Sequence, residues 1–230
     1  MIVEEISPLE AWRTACSRLI AHGGESFNLL VSFPCNAAAD ETAMITYDPR
    51  QVLGPGFDRA RDVANTVFPA KTRQNSVGRG DFYKRYERAH RRGSKKGWGT
   101  YFGRFIAFGE TRVNQLERVV HALTTWQKSY RAALLMHTSS AETDNLRPLG
   151  GPCLQYVQFG CPDHTRIDLL AVYRNHDYCN KVLGNFFGLS RLLNFVCEES
   201  AKTSGMVTCL SIHAYFDTSI KKQKQLAGVD

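Results

Sequence analysis

The chain reads as one α+β domain over residues 1–230, and three observations carry this. Apolar, aromatic-rich segments with strand character recur, among them Phe27–Phe33, Ile167–Tyr173 and Met206–Phe216. Helix-length segments with apolar residues at helical spacing lie between them, notably Pro8–Ala21, Asn114–Thr124 and Leu183–Glu199. Neither an internal repeat nor a low-complexity linker divides the chain, and 230 residues suit a single domain. Strands and helices in this mixture pack as layers around one core.

Taken in order, Pro8–Ala21 is an amphipathic helix with Ser7 or Pro8 at its start, Leu9, Trp12, Leu19 and Ile20 near one face, and Gly23-Gly24 ending it. Phe27–Phe33 is a strand bounded by Gly and Pro. Ala43–Tyr47 reads as another strand, with a turn at Asp48-Pro49. Phe57–Phe68 is helical, with Val63, Val67 and Phe68 inward and Pro69 as its stop. Residues 70–97 are polar and basic, helical around Phe82–His90 and exposed at RRGSKKG. The segment WGTYFGRFIAFG reads as a turn and a short strand, and Ala132–Met136 as a short apolar strand. Cys153–Phe159 alternates, with Val157 and Phe159 on the side of Cys153. Ile167–Tyr173 is almost wholly apolar, as in a strand buried on both faces.

Composition narrows the function classes. The N-terminus MIVEEISPLEAWR lacks a basic stretch followed by an apolar core, so no signal peptide is expected. No apolar run has the length of a membrane span. The seven cysteines are scattered, without Cys-x-x-Cys, which predicts reduced thiols, a cytoplasmic setting and no metal site. The net charge of +7 suggests an anionic partner. Much of that charge is concentrated in Lys84, Arg85, Arg88, Arg91, Arg92, Lys95 and Lys96, which suit a solvated face as well as a phosphate or nucleic-acid surface.

The second half carries the chemistry. Cys153 alone reads as a small buried hydrophobe. It stands, however, in an ordered set: Pro152-Cys153 with Gln158-Phe159, Tyr173-Arg174 with Asp177, Leu183-Gly184 with Phe187, then His213-x-Tyr215. This set resembles thymidylate synthase and its relatives, the pyrimidine nucleotide hydroxymethylases. Upstream, Phe102-Gly103 resembles the family's Tyr-Gly, Asn114-Gln115 its Asp-Gln, and Ser129-Tyr130-Arg131 its Ser-Arg-Arg phosphate clamp. The likeness covers roughly residues 55–217, weakly in its first half.

The resemblance implies a mixed sheet with a long central helix and a homodimer packed sheet to sheet. It implies transfer of a one-carbon unit, methyl or hydroxymethyl, from 5,10-methylenetetrahydrofolate to C5 of a pyrimidine nucleotide or analogue. Cys153 would be the nucleophile, and Arg174 would lower its pKa and bind phosphate. Arg131 would reach the neighbouring subunit's phosphate. Asp177 would contact the base and the folate, His213 and Tyr215 a ribose hydroxyl, and Gln158 would support them from behind. By itself Arg131 also fits a surface arginine, Asp177 a turn cap, and His213 and Tyr215 packed residues.

Four departures point toward specialised metabolism rather than routine thymidylate synthesis. Gly188 aligns with the base-reading position, where the family has Asn or Asp. Asn65 aligns with the catalytic Glu, although Glu41 or Asp62 offers a carboxylate nearby. Tyr130 replaces a clamp arginine, and the family's N-terminal phosphate arginine finds no match. The chain ends soon after Tyr215, without the family's C-terminal lid. Two alternatives remain open: a folate-independent cysteine enzyme acting on another heterocycle, and a non-catalytic nucleotide- or nucleic-acid-binding module.

Overall fold

The computed structural model describes residues 1–56, 58–90, 98–125, 134–144, 150–162, 164–219, 221–222 and 225, apart from the side chains of 52 and 53. Strand β1 (Ile2–Glu4) leads into helix α1 (Pro8–Ala21) and strand β2 (Glu25–Pro34). Helices α2 (Ala37–Thr46), α3 (Arg50–Leu53), α4 (Ala60–Val67), α5 (Ala70–Gln74), α6 (Gly78–His90), α7 (Tyr101–Ile106) and α8 (Gln115–Thr125) follow. The second half contains β3 (Leu135–His137), β4 (Leu154–Gly160), β5 (Arg166–Tyr173), β6 (His176–Asp177), α9 (Val182–Ser200) and β7 (Thr203–Tyr215).

The strands form one mixed sheet in the order β1-β2-β7-β5-β4-β3, with β6 also paired to β7. β7 runs antiparallel to β2 and parallel to β5 and β6. The connection from β5 to β7 passes through α9, the crossover that a parallel pair requires. α1 and α9 touch each other and the sheet, and α8 joins them on that side. The sheet residues facing this layer are fully buried, including Leu29, Val31, Phe33, Leu169, Ala171, Val207 and Cys209.

Local signals explain several elements. The Ser7 hydroxyl accepts the Glu10 N–H and Pro8 opens α1. Asn114 Oδ1 accepts the Glu117 N–H at 2.9 Å, which starts α8 one residue later than the sequence pattern suggests. Two strand expectations fail. Ala43–Thr46 is the end of α2, whose start is capped by Asn36 at Ala39 N and whose Thr42 and Thr46 hydroxyls bond back to carbonyls one turn earlier. The Trp98–Gly109 stretch contains α7, because Thr100 Oγ1 accepts the Gly103 N–H and buried Tyr101, Phe102, Phe105 and Ile106 follow helical spacing. Only a single bridge, Phe108 to Val113, keeps strand character there.

Two glycines decide how close the helix layer is. A Cβ on Gly184 would lie 2.5 Å from Val63 Cβ and 2.6 Å from the Ala60 carbonyl; one on Gly188 would lie 2.7 Å from Val67 Cβ. α4 therefore lies directly on the backbone of α9. Beyond its end, the Phe68 ring packs 5.1 Å from Phe195, and Phe82 packs 5.0 Å from Phe102. Such aromatic pairs contribute about 1 kcal/mol each beyond area burial. Arg79 binds both Glu117 and Glu199, and Arg73 adds a second bond to Glu199, which ties α5, α6, α8 and α9 together.

The opposite face of the sheet differs from the sequence expectation for β5. That strand is not fully buried on its second face: Leu170 is only half-buried, although Val172 is buried, and on the neighbouring strands Leu30 and Leu210 are half-buried and Ile212 is 38% exposed. The sheet is covered on the helix side and carries an apolar stripe on the other.

Candidate active site

A cavity of about 520 Å³ opens where β4 starts, β5 gives way to β6, β7 ends, and α4 and α9 approach. Cys153 lines it at the head of β4 and is half-buried. The strict alternation read for Cys153–Phe159 is interrupted by a bulge between Leu154 and Tyr156. Bulges redirect side chains at sheet ends; Leu154, Val157 and Phe159 are buried, while Tyr156 and Gln158 are half-buried. Gln158 does not line the cavity; it pairs with Leu170 and Leu135, on the stripe side of the sheet.

Arg174 is adjacent to Cys153 across the sheet. Its backbone N–H donates to the Cys153 carbonyl at 2.9 Å, and its guanidinium donates to the Gly150 carbonyl. Gly151, which lines the cavity, has φ +77°, and a Cβ there would come within 3.4 Å of Arg174 Nη2. Glycine thus permits both the turn and the close approach of the guanidinium.

Asp177 and Tyr215 also line the cavity. The Asp177 carboxylate accepts the N–H groups of Cys179 and Asn180 and the Asn180 side-chain amide, so it also shapes the turn before α9. Burial, with Asp177 and Cys153 nearby, pushes the Tyr215 phenol up to about 12. It is therefore a neutral donor and acceptor at physiological pH. His213 lies behind it, stacked between Phe27 and Tyr215 at 4.9 and 5.2 Å. Its ring nitrogens meet Asn175 Oδ1 at 2.7 Å and Glu25 Oε2 at 3.3 Å.

Arg174 and His213 flank the cavity without lining it, and Gly188 and Asn65, like Gln158, lie off its wall. Gly188 does not line the cavity; it packs against Ala64 and Val67, where a side chain would collide. Asn185, one turn earlier on α9, lines it instead. Asn65 is held by Arg191 at 3.1 Å and lines an adjoining hollow that shares Asp62, Thr66, His90 and Thr100 with the cavity. Arg191 also holds Glu41, away from the cavity. Asp62, one turn before Asn65 on α4, is a cavity residue together with Val63 and Thr66. Arg131 and the Ser129-Tyr130 pair lie outside the described residues, as does the whole 91–97 part of the basic segment.

The sequence reading missed several lining groups. Buried His176 stacks on Tyr173 at 3.9 Å, nearly parallel, and burial pushes its pKa down to about 3. Trp98 and Tyr101 form an aromatic wall, and the Tyr101 hydroxyl accepts the Leu154 N–H at 3.4 Å. Arg104 fixes Trp98 by donating to its carbonyl at 3.0 Å with its guanidinium over the ring, while also binding Asp144. Asp58 and Lys181 form an ion pair at the wall. Asn185 was detectable as a lone amide inside the apolar run of α9. His176 carried no comparable signal, because the turn at Arg174–Asn175 that sends it inward is a tertiary feature.

Among the described residues, no group of three His, Cys, Asp or Glu side chains is placed to hold a metal. Among the same residues, no helix is long and apolar enough to cross a membrane.

No family model matches the chain. It is similar to known proteins over about half its length. A protein named "Putative thymidylate synthase" from Methanococcoides burtonii is 27% identical over 132 residues, which are 56% of this chain and 58% of that protein. Proteins of the same name from Methanosarcina mazei and Methanosarcina barkeri are 27% and 26% identical over 114 residues, 50% of this chain and 51% of each. The matched part thus spans just over half the length of these curated relatives. The similarity is partial and agrees with the likeness to thymidylate synthase read from the ordered residues between Cys153 and Tyr215.

Proposed function

We propose that this chain is a thymidylate synthase-like transferase that binds a pyrimidine nucleotide, or an analogue, and works through a covalent bond from Cys153. The observation that carries the reading is a half-buried Cys153 on the wall of a cavity of about 520 Å³, shared with Asp177, Asn185 and Tyr215. That volume falls within the range of small-molecule sites, about 300–1,000 Å³.

In the proposed reaction the Cys153 thiolate bonds to ring C6. The C5–C6 π electrons move toward the C4 substituent, leaving C5 nucleophilic. C5 would then bond to the one-carbon unit and lose its proton while that unit's bond to the folate nitrogen breaks. A hydride from the tetrahydrofolate, for a methyl product, or water, for a hydroxymethyl product, would complete the exocyclic carbon as the Cys153 thiolate leaves and the ring is restored. Arg174, beside the Gly150–Gly151 turn, favours the thiolate and attracts the phosphate. Asn185 takes the ring edge that the sequence alignment gave to Gly188. Asp62 takes the proton-shuttling part assigned to Asn65, which an amide cannot perform. Tyr215, supported by His213, holds a sugar hydroxyl.

5,10-Methylenetetrahydrofolate would supply the one-carbon unit. A second cavity of about 290 Å³ shares His90, Trp98, Gly99 and Thr100 with the first. Its aromatic lining by Tyr86 and Trp98 suits a flat heterocycle, and Arg104 offers it a cation. We further propose a homodimer through the apolar sheet stripe, with Arg131 entering the site of the neighbouring copy.

The test is covalent trapping. A 5-fluoro pyrimidine nucleotide cannot lose its C5 substituent as a proton would be lost, so the adduct persists. Wild-type protein with 5-fluoro-deoxyuridine or 5-fluoro-deoxycytidine monophosphate and methylenetetrahydrofolate should gain the corresponding mass, and Cys153→Ala should not. Saturable nucleotide binding without any adduct would overturn the transferase reading in favour of a non-catalytic nucleotide-binding module.

A further inference from the structure

Asn185 is 3% exposed, yet its Oδ1 has no hydrogen-bond partner among the described residues. Its Nδ2 lies 3.0 Å from His176 Nε2. His176 Nδ1 lies 2.8 Å from Ser211 Oγ, which is 3.3 Å from the Tyr178 hydroxyl. These four side chains form a buried line, and its first two members, Asn185 and His176, line the cavity. Burial keeps the imidazole neutral, with a pKa pushed down to about 3, so it carries one N–H and one acceptor nitrogen.

Two hydrogen-bond arrangements satisfy this line with the same protons. In one, Asn185 Nδ2–H donates to His176 Nε2, Nδ1–H donates to Ser211, and Ser211 donates to the Tyr178 oxygen. In the other, the Tyr178 hydroxyl donates to Ser211, Ser211 donates to Nδ1, and Nε2–H donates to Asn185 Oδ1. The second arrangement requires the Asn185 amide to turn over. A group behind the amide that could only donate, or only accept, would tolerate one orientation alone. A neutral imidazole backed by a hydroxyl accommodates both.

Resting on the reading of this cavity as a pyrimidine nucleotide site, we infer that His176 is a positioning residue that lets Asn185 present its donor and acceptor in either order, so that the site accepts both 4-oxo and 4-amino pyrimidine rings. A 4-oxo ring offers a donor at N3 and an acceptor at the C4 substituent; a 4-amino ring offers the reverse. Turning the amide over exchanges its two groups to match, and the His176 tautomer follows.

The experiment uses the whole protein with ¹⁵N-labelled histidine, titrated with deoxyuridine and deoxycytidine monophosphates, the His176 signals being assigned by their loss in His176→Phe. Both nucleotides should bind, with affinities within about tenfold, the change that one hydrogen bond confers. The protonated nitrogen of His176 should differ between the two complexes. Ser211→Ala removes the partner of Nδ1 and favours the Nε2–H tautomer, so it should shift the affinity ratio by about tenfold or more in one direction. The same tautomer in both complexes, or a ratio untouched by Ser211→Ala, overturns the inference. Binding of one nucleotide alone also overturns it while leaving the nucleotide site standing. Binding of neither overturns the site reading itself.

Discussion

His176 is fully enclosed by the ring of Tyr173, the Ser211 hydroxyl and the Asn185 amide. Taking up a proton there would bury a charge without a counter-ion, which is why its pKa falls from 6.5 to about 3. The consequence for stability has a definite sign. Above pH 6.5 the imidazole is neutral in folded and unfolded chains alike. As pH falls from 6.5 toward 3, only the unfolded chain binds the proton, so the stability contribution is lost across that window. Between pH 7 and pH 5 the loss is about 2 kcal/mol, taking 1.36 kcal/mol per pKa unit. Phe at this position keeps the stack on Tyr173 and removes the titration. Urea unfolding at the two pH values should therefore show a smaller loss for His176→Phe than for wild type. An equal loss in both proteins would mean that the ring is not held neutral.

At the scale of elements, the contact between α4 and α9 places the cavity's helical wall. Gly184 and Gly188 let the two backbones approach, and this brings Asp62, Val63 and Thr66 opposite Asp177 and Tyr215. Alanine at position 188 would gain up to about 1 kcal/mol of helix propensity. Its Cβ would also meet Val67 Cβ at 2.7 Å and the Ala64 carbonyl at 2.9 Å, neither of which is the movable end of a long side chain. Overpacking of this kind costs about 1–3 kcal/mol, so Gly188→Ala should be less stable than wild type by roughly 1–2 kcal/mol in urea titration. A gain in stability would show that α4 yields freely. The same contact explains what the sequence made legible. The ordered residues from Cys153 to Tyr215 lie in the second half, where long strands and one long helix announce themselves by periodicity. α7 did not, because it is started by a single side chain, Thr100, within an aromatic segment whose composition suits a strand, and α2, started by Asn36, was missed because the strand reading rests only on its β-branched end near Ala43–Tyr47, not on its Ala-rich start. The Leu183-Gly184 pair gave a frame for α9 that pointed to Gly188, whereas the cavity is reached by the residue immediately after that pair. Spacing along the chain could not reveal which side of α9 is pressed against α4.

For the whole molecule, the one-sided helix layer has a consequence for assembly. The stripe of Leu30, Leu170, Leu210 and Ile212 crosses three neighbouring strands on the side away from α9. Contiguous apolar surface of this kind on a sheet is favourably covered by another apolar surface. A second copy related by a two-fold axis would present the same stripe to it, which is the self-complementary contact of a closed dimer. Leu210 pairs with Leu30 on one side and Val172 on the other, so it lies near the middle of the stripe. A carboxylate there would be buried twice in the dimer, once from each copy, but would remain largely solvated in a monomer. Leu210→Glu should therefore leave the fold intact and shift the protein from dimer to monomer in sedimentation at micromolar concentration. If Arg131 enters the neighbour's site, the same variant should lose nucleotide affinity although residue 210 lies on the far side of the sheet from Cys153. A monomeric wild type would remove the dimer and Arg131's part together; a dimer unaffected by Leu210→Glu would move the interface elsewhere.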